Sequence, residues 1–169
     1  MSIDFRGRAE FSPCSNYRYL LERRFVPRAR RENTVLFIGL NPSTADATSN
    51  DPTIHRCTRF AHDWGFDRLF VGNLFAWRSP WPEALFAADE PVGDANDEWL
   101  SRMARRSRVI VACWGRHGRR FERDEAVISL LHRRLMCLAI NADGTPAHPL
   151  YQPANRELRP YVPGRTRKT

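Results

Sequence analysis

Short apolar runs alternate with amphipathic stretches along most of the chain. Four of the runs are typical of buried strands; they are residues 35–40, 68–74, 109–113 and 135–140. Apolar residues at helical spacing predict helices between them, at residues 52–63, after Asp94 as N-cap, and at residues 120–134. This alternation predicts an α/β fold, a three-layer αβα sandwich with a mainly parallel central sheet of about four strands.

The segments outside this alternation are more basic. Residues 11–25 mix aromatic and arginine side chains and predict a strand or hairpin at the sheet edge. Residues 1–10 are polar and expected to be loose, residues 27–33 form a basic linker, and residues 152–169 form a basic tail. Because no internal repeat or boundary interrupts the pattern, we predict one α/β domain over residues 1–169.

The stretch after the first predicted strand carries the densest set of signals. It is Gly39-Leu-Asn-Pro-Ser-Thr-Ala-Asp46, continuing to Asn50-Asp-Pro52. Asn41-Pro42 indicates a turn, and Asp51-Pro52 combines an N-cap with proline at the first helical position. In a parallel sheet such a loop lies at the carboxyl end of its strand, where ligands bind. A well-capped connection without any binding role is the alternative.

Unusual residues follow the other three strands as well. Asn73 ends the second strand, Trp114-Gly115 follows the third, and His148 lies in the loop after the fourth. A buried amide such as that of Asn73 needs partners, either the backbone of a neighbouring loop or the polar edge of a ligand. Because the carboxyl ends of parallel strands meet at one edge of a sheet, we expect these residues to converge with Asn41 in one site.

The charge of the chain favours a polyanionic partner. The chain has 27 basic and 19 acidic residues and a net charge of +8. The basic residues are concentrated in residues 1–31, 102–120 and 151–169, which predicts a basic face. Lys168 is the only lysine, and such a preference for arginine is also typical of a GC-rich genome. Nucleic acid is therefore the first candidate partner, and a solvated basic surface is the alternative.

The cysteines and the lengths of the apolar runs narrow the class of protein further. Cys14, Cys57, Cys113 and Cys137 form no Cys-x-x-Cys pair, so free thiols are expected and neither a metal nor a cofactor is implied. No apolar run approaches membrane-spanning length, and the N-terminus has no apolar signal segment. We expect a cytoplasmic monomer that does not associate with membranes.

The order of these motifs resembles the uracil-DNA glycosylase superfamily. Members have a strand ending in Gly-x-Asn-Pro or Gly-x-Asp-Pro, here Gly39-Leu-Asn-Pro42, and a second strand ending in an asparagine, here Asn73. A strand ending in Trp-Gly and a His-Pro loop follow, here Trp114-Gly115 and His148-Pro149. The resemblance covers about residues 35–151 and implies a uracil-DNA glycosylase-like fold.

A closer resemblance involves longer motifs. The run from Asn41 to Asp46, with Asn50-Asp-Pro-Thr53 and Asn73-Leu-Phe-Ala76, is similar to a bacterial and phage family of domains of unknown function. This likeness spans most of the chain and implies no activity.

The superfamily resemblance implies a DNA glycosylase that excises a modified or mismatched pyrimidine, as in DNA repair. Hydrolysis of an N-glycosidic bond leaves negative charge on the departing base, so the enzyme donates hydrogen bonds to the base and places a water at the sugar carbon. In this interpretation His148 donates to the base and Asn73 pairs with its amide-like edge. Asn41 orients the water, with Asp46 as the general base.

Further site residues follow from the same resemblance. The base and the DNA stack are expected to contact Leu40, Pro42, Ser43, Asn73, Phe75, Trp114, Leu150 and Tyr151. The aromatic side chain that stacks on the base is one of Phe60, Phe75 and Trp77, and DNA phosphates are expected to contact Arg116, Arg119 and Arg120. Two alternatives stay open. One is a non-catalytic nucleic-acid binder, and the other is a hydrolase or binder of free nucleosides or nucleotides on the same fold.

Overall fold

The computed structural model describes residues 3–26 and 32–163. The strands are β1 (Arg6–Phe11), β2 (Arg18–Arg24), β3 (Thr34–Gly39), β4 (Arg68–Asn73), β5 (Val109–Ala112), β6 (Met136–Cys137) and β7 (Arg159–Pro160). The α-helices are α1 (Pro52–Asp63), α2 (Pro82–Ala87), α3 (Asn96–Arg105) and α4 (Arg123–Leu131). Two 3-10 helices span Arg116–Glu122 and Pro149–Tyr151. Residues 27–31 of the predicted linker and 164–169 of the predicted tail lie outside the described part.

The strands form one mixed sheet of seven strands in the order β1-β2-β4-β3-β5-β6-β7. The inner pairs β4–β3, β3–β5 and β5–β6 are parallel, whereas β1–β2, β2–β4 and β6–β7 are antiparallel. The predicted fold class, with a mainly parallel sheet of about four strands of uracil-DNA glycosylase type, is therefore wrong. The apolar pattern finds strands that are buried on both faces, whereas β1 and β7 are held by backbone pairing and leave much of their length exposed.

The two central strands fix where the sheet ends. β3 and β4 are almost entirely buried, which agrees with their continuous apolar runs. Their parallel register pairs Thr34 with Arg68 at one end and Gly39 with Asn73 at the other. The backbone N–H of Leu74 then donates to the carbonyl of Gly39 at 2.9 Å. The side chain of Asn73 and the loop that begins at Leu40 consequently leave the sheet at the same edge.

The helix after this loop begins and ends where the sequence predicts. The Asp51 carboxylate accepts from the backbone N–H of Ile54 at 2.8 Å, and Pro52 occupies the first turn. Gly65, just beyond α1, has a φ of 80°, a left-handed conformation that glycine adopts without the steric strain of a Cβ atom. The apolar face of α1 packs on one side of the sheet, and α3 and α4 pack on the other.

Three local predictions are corrected by the structure. Residues 6–10 are not loose, because they belong to β1 and pair with β2. Asp94 does not cap α3; the N-cap position is Ala95, and no side chain caps the helix. The helix predicted over residues 120–134 is shorter, because Phe121 and Glu122 have φ values of 57° and 53° that separate the preceding 3-10 helix from α4.

The thiols and the helix lengths add two observations. Cys57, Cys113 and Cys137 are buried free thiols, and Cys14 is an exposed one. Within residues 3–26 and 32–163, every helix is too short or too polar to cross a lipid bilayer.

Candidate functional site

A cleft of about 720 Å³ opens at the carboxyl ends of the parallel strands. Its floor is apolar and is formed by buried side chains from β3, α1, β4 and the residue after β5, namely Phe37, Ile54, Cys57, Val71 and Cys113. Its walls are polar loops that follow these strands. A volume of this size is within the range of sites that hold a small organic ligand.

The structure brings most of the sequence-predicted site residues together in this cleft. Those that line it are Leu40, Asn41, Ser43, Asn73, Trp114, Arg116, His148, Leu150 and Tyr151. Those that do not are Pro42, Asp46, Phe75, Arg119 and Arg120. The convergence follows from the parallel register of the central strands, which carries their polar end residues to one edge of the sheet.

Asn73 is the most constrained of these residues. Only 4% of its surface is exposed, and its side-chain amide makes no hydrogen bond with any residue that the structure describes. The Asn96 amide donates to its backbone carbonyl at 3.0 Å, which fixes the main chain. A Cβ at Gly39 would lie 3.0 Å from Asn73 Oδ1, so glycine leaves the room in which this amide lies. The amide therefore has a fixed position and unused hydrogen-bonding capacity.

Asn41 joins two walls of the cleft. Its Nδ2 donates to the carbonyls of Ser79 at 2.8 Å, Pro42 at 3.1 Å and Trp77 at 3.3 Å. These bonds hold the loop after β3 against residues 77–79. The side-chain oxygen of Asn41 accepts no hydrogen bond from the described part of the chain, so it remains available to a water or ligand.

His148 has a defined tautomer. Its Nδ1 accepts from the backbone N–H of Leu150 at 3.3 Å, which assigns the proton of the neutral ring to Nε2. Burial lowers the pKa of His148, and the nearby charge of Asp51 partly opposes this shift. The guanidinium of Arg56 on α1 donates to the carbonyl of Gln152, which ties the His148 loop to that helix. His148 thus presents a neutral ring with Nε2–H as its free donor.

The carboxylate expected to act as a base lies elsewhere. Asp46 Oδ1 accepts four hydrogen bonds from the backbone and hydroxyl groups of Thr48 and Ser49, at 2.8–3.1 Å. Those bonds hold the pKa of Asp46 far below the usual range of a carboxyl group. Asp46 shapes a turn outside the cleft. The carboxylate that does line the cleft is Asp51, which the sequence analysis recognised only as an N-cap.

The aromatic side chains proposed to stack on a base lie away from the cleft. Phe60 and Phe75 are buried in the core, and Trp77 packs against Tyr17 with 5.3 Å between ring centroids. Tyr151 is instead exposed at the rim, with 80% of its surface accessible. Trp81 is 67% exposed and lies between Pro80 and Pro82, which line the opposite side. The sequence predicted a ligand contact for Tyr151 but did not single out Trp81, because exposure depends on how the loops pack.

One of the three arginines predicted to contact phosphates lines the cleft, and the other two do not. Arg116 lines the cleft, but Arg119 donates to the carbonyl of Asp143 and Arg120 lies 4.6 Å from the ring centroid of Phe86. Arg119 and Arg120 thus lie outside the cleft. Among residues 3–26 and 32–163, no three His, Cys, Asp or Glu side chains are arranged to hold a metal ion. Burial raises the pKa values of Cys57 and Cys113, which keeps both thiols protonated.

Sequence reasoning missed Arg18. This residue begins β2, is 2% exposed and lines the cleft. Its Nη1 donates to the carbonyl of Ala45 at 2.7 Å, while its Nε and Nη2 make no hydrogen bond with the described residues. No signal in the sequence separates Arg18 from Arg23 and Arg24 of the same strand.

Comparison with known proteins adds one finding. No curated protein and no solved structure matches the chain, and no match links it to the uracil-DNA glycosylase superfamily. The expected membership of a family of unknown function is confirmed. The matched region begins at Arg18 and ends at Leu150, both of which line the cleft. The chain belongs to the family described as "Protein of unknown function (DUF1643)", which matches residues 18–150.

Proposed function

We propose that the cleft binds a pyrimidine-type base and hydrolyses the N-glycosidic bond between this base and its sugar. The observation that carries the proposal is the buried amide of Asn73, which has no partner among the described residues. A primary amide offers a donor and an acceptor side by side, which complements the N–H and C=O edge of a pyrimidine. Because Asn73 lines the cleft, a complementary ligand can reach this amide and provide the partners that the fold does not.

His148 provides the donor that this chemistry requires. When the glycosidic bond breaks, its electron pair passes to the ring nitrogen of the base, and negative charge spreads to the base oxygens. The Nε2–H of a neutral His148 donates to such an oxygen and stabilises the charge as it develops. Burial lowers the pKa of His148, so the ring is neutral at physiological pH and its proton is positioned before the reaction begins.

Asn41 and Asp51 provide the groups that position a water. Both residues line the cleft, and the Asn41 amide is fixed by its three backbone contacts. Asn41 Oδ1 accepts a hydrogen bond from the water, and the Asp51 carboxylate takes up its proton as the oxygen bonds to the sugar carbon. In this proposal Asp51 replaces Asp46, whose acceptor capacity is used by its own turn.

The rim supports a base that is taken from nucleic acid. Leu150 and Tyr151 are exposed on the 3-10 helix that follows His148, with 40% and 80% of their surfaces accessible. Apolar side chains at such a rim fill the space that a base leaves when it is flipped out of a stack. A free nucleoside or nucleotide is the second candidate substrate, favoured by Arg18, which lies inside the cleft rather than along an outer surface.

A product assay tests the proposal directly. Wild-type protein would be incubated with labelled single- and double-stranded oligonucleotides carrying uracil, hydroxymethyl-pyrimidines or mismatches, and with free pyrimidine nucleosides. We expect abasic sites or free base, with rates at least about 100-fold lower in His148→Ala, as for loss of one oxyanion donor. His55→Ala, which alters an exposed histidine on α1, is the matched control and is expected to retain full activity.

The outcomes separate the candidates. Release of base from oligonucleotides supports a DNA glycosylase, and release from nucleosides alone supports the second candidate. No product from any substrate, with binding that Asn73→Leu abolishes, would show a base-binding protein without hydrolytic activity. No product and no binding would overturn the proposal.

A further inference from the structure

Arg18 is a buried cation that no described carboxylate contacts directly, although the charges of Asp51 and Asp46 act on it and oppose the lowering of its pKa. It is 2% exposed, and none of the carboxylates in residues 3–26 and 32–163 forms a salt bridge with it. Its backbone N–H donates to the carbonyl of Ala76 at 3.0 Å, and its Nη1 donates to Ala45, so the side chain is held in place. Burying a charge is costly unless it is paired, so a guanidinium that lines a cleft and has unused donors is a suitable binding group for an anion.

The other buried arginines, Arg23, Arg68 and Arg123, have more partners within the fold. Arg68 pairs with Glu22 at 3.1 Å, and Arg123 pairs with Asp97. Arg23 donates to several carbonyls of residues 46–50. Burial lowers the pKa of Arg18 to about 10, so its guanidinium is still cationic at neutral pH. Arg18 thus differs from these three arginines in that its guanidinium makes one hydrogen bond and no salt bridge.

The surroundings of Arg18 are suited to an anion. The loop next to its anchor Ala45 carries Ser43 and Thr44, whose hydroxyl groups line the same cleft. A second cavity of about 420 Å³ shares Ser43, Thr44, Ser79 and Pro80 with the cleft and is also lined by Arg78.

Arg78 contributes a second positive charge at this point. Its guanidinium lies 4.7 Å from the ring centroid of Phe11 and donates to the carbonyl of Ser15 at 2.9 Å. Repulsion from Arg78 is one of the effects that lower the pKa of Arg18, so the two cations are close enough to interact. An anion between them relieves this repulsion and accepts from the hydroxyl groups as well. Asp51, whose charge attracts Arg18, caps α1 and forms no salt bridge with this arginine.

We propose that Arg18, Ser43, Thr44 and Arg78 form a subsite for a phosphate group attached to the sugar of the bound ligand. Two cations and two hydroxyl donors match a tetrahedral oxyanion with several acceptors, and the cleft is large enough for a nucleotide. The proposal rests on the proposed function for the location of the base in the same cleft, but it does not require hydrolysis. The phosphate belongs either to a free nucleotide or to a nucleic-acid backbone.

Calorimetric titration tests this subsite. Full-length protein would be titrated with pyrimidine deoxynucleosides, with their 3′- and 5′-monophosphates, with inorganic phosphate, and with short single-stranded oligonucleotides containing the same base. We expect the phosphate to tighten binding by about 10–100-fold, as for charge-assisted hydrogen bonds. Arg18→Met is expected to reduce that advantage, measured as the ratio of monophosphate to nucleoside affinity in the same variant, to under about 3-fold. Arg24→Met, an exposed arginine of the same strand that pairs with Glu32, is the matched control and is expected to keep the advantage.

Each result decides between the inferences. A gain from monophosphates supports a free nucleotide, whereas a gain restricted to oligonucleotides supports a backbone phosphate. Nucleoside binding without a phosphate gain, or with a gain that Arg18→Met retains, would overturn the subsite and leave the proposed function intact. Binding of inorganic phosphate that depends on Arg18, without any nucleoside binding, would keep the subsite and overturn the proposed function. Binding of none of the probes would overturn both.

A second variant covers a failure of Arg18→Met to fold. Ser43→Ala removes a single hydroxyl group from a partly exposed loop residue, so the fold is expected to tolerate it. It is expected to reduce the phosphate advantage by about 3–10-fold, in line with the loss of one typical hydrogen bond. An unchanged advantage in Ser43→Ala would exclude this hydroxyl from the subsite.

Discussion

Arg18 and Arg23 lie on the same strand and are both buried, yet their guanidinium groups have different partners. Arg23 donates to the backbone carbonyls and the Asn50 side chain of the loop at residues 46–50, at 2.7–3.4 Å. Arg18 donates to Ala45 alone and exposes its remaining capacity to the cleft. Burial by itself therefore does not separate a structural cation from a ligand-binding one; the partners of its donors do.

Asp46, in the loop at residues 46–50, and Asp51, at the wall of the cleft, also differ in how many hydrogen-bond partners the fold provides. Asp46 is surrounded by four donors from its own loop, which lower its pKa strongly and fix the turn. Asp51 accepts one hydrogen bond from the start of α1 and lines the cleft. The loop at residues 46–50 is thus a scaffold in which polar groups satisfy one another, and the neighbouring cleft wall is a surface on which polar groups are left for a ligand.

Replacing each arginine by methionine gives the largest contrast between the regions. Arg23→Met leaves several carbonyls of the loop without donors and is expected to lower the free energy of unfolding by about 3 kcal/mol or more. Arg18→Met removes an unpaired buried charge and is expected to change that free energy by less than about 1 kcal/mol. Urea denaturation of both variants, with Arg24→Met as an exposed control, measures the difference. Equal losses in the first two variants would contradict the assignment.

Replacing the amide of Asn73 is expected to change the free energy of unfolding by a smaller amount and in the opposite direction. Asn73→Leu replaces an unpaired buried amide by an apolar group of similar size and is expected to raise the free energy of unfolding by about 1 kcal/mol, while base binding is lost. Stability that increases as binding disappears is typical of a functional residue. Denaturation and calorimetry on the same preparation test this, with exposed Asn155→Leu as control. A clear loss of stability would indicate a structural partner for the amide.

The smallest expected effect is the pH dependence that His148 contributes. Burial lowers its pKa in the folded state relative to about 6.5 in the unfolded chain, so the unfolded chain binds the proton more readily. The stability that its neutral form contributes is present above pH 6.5 and is lost as the pH falls through the lowered pKa. The acid limb of activity is expected below pH 6.5 for the same reason. NMR titration of His148, with His55 as an exposed reference, measures it; a pKa above 6.5 would contradict the prediction.

Structural features that depend only on neighbouring residues could be predicted from the amino-acid sequence. The continuous apolar runs predicted the positions of β3, β4 and β5, because strands buried on both faces carry no polar alternation. Asp51-Pro52 marked the start of α1, since cap geometry depends on a few neighbouring residues. From these elements the convergence of Asn41, Asn73 and His148 followed as well.

Which polar groups have hydrogen-bond partners depends on tertiary packing and could not be predicted from the sequence. The antiparallel edge strands arise from backbone pairing between distant segments, which the apolar pattern does not record. The same holds for Asp46 and Asp51, and for Arg18 and Arg23. Each pair is made of identical side chains in similar sequence surroundings, and the difference appears only when loops, strands and helices pack and either provide hydrogen-bond partners or leave a cleft.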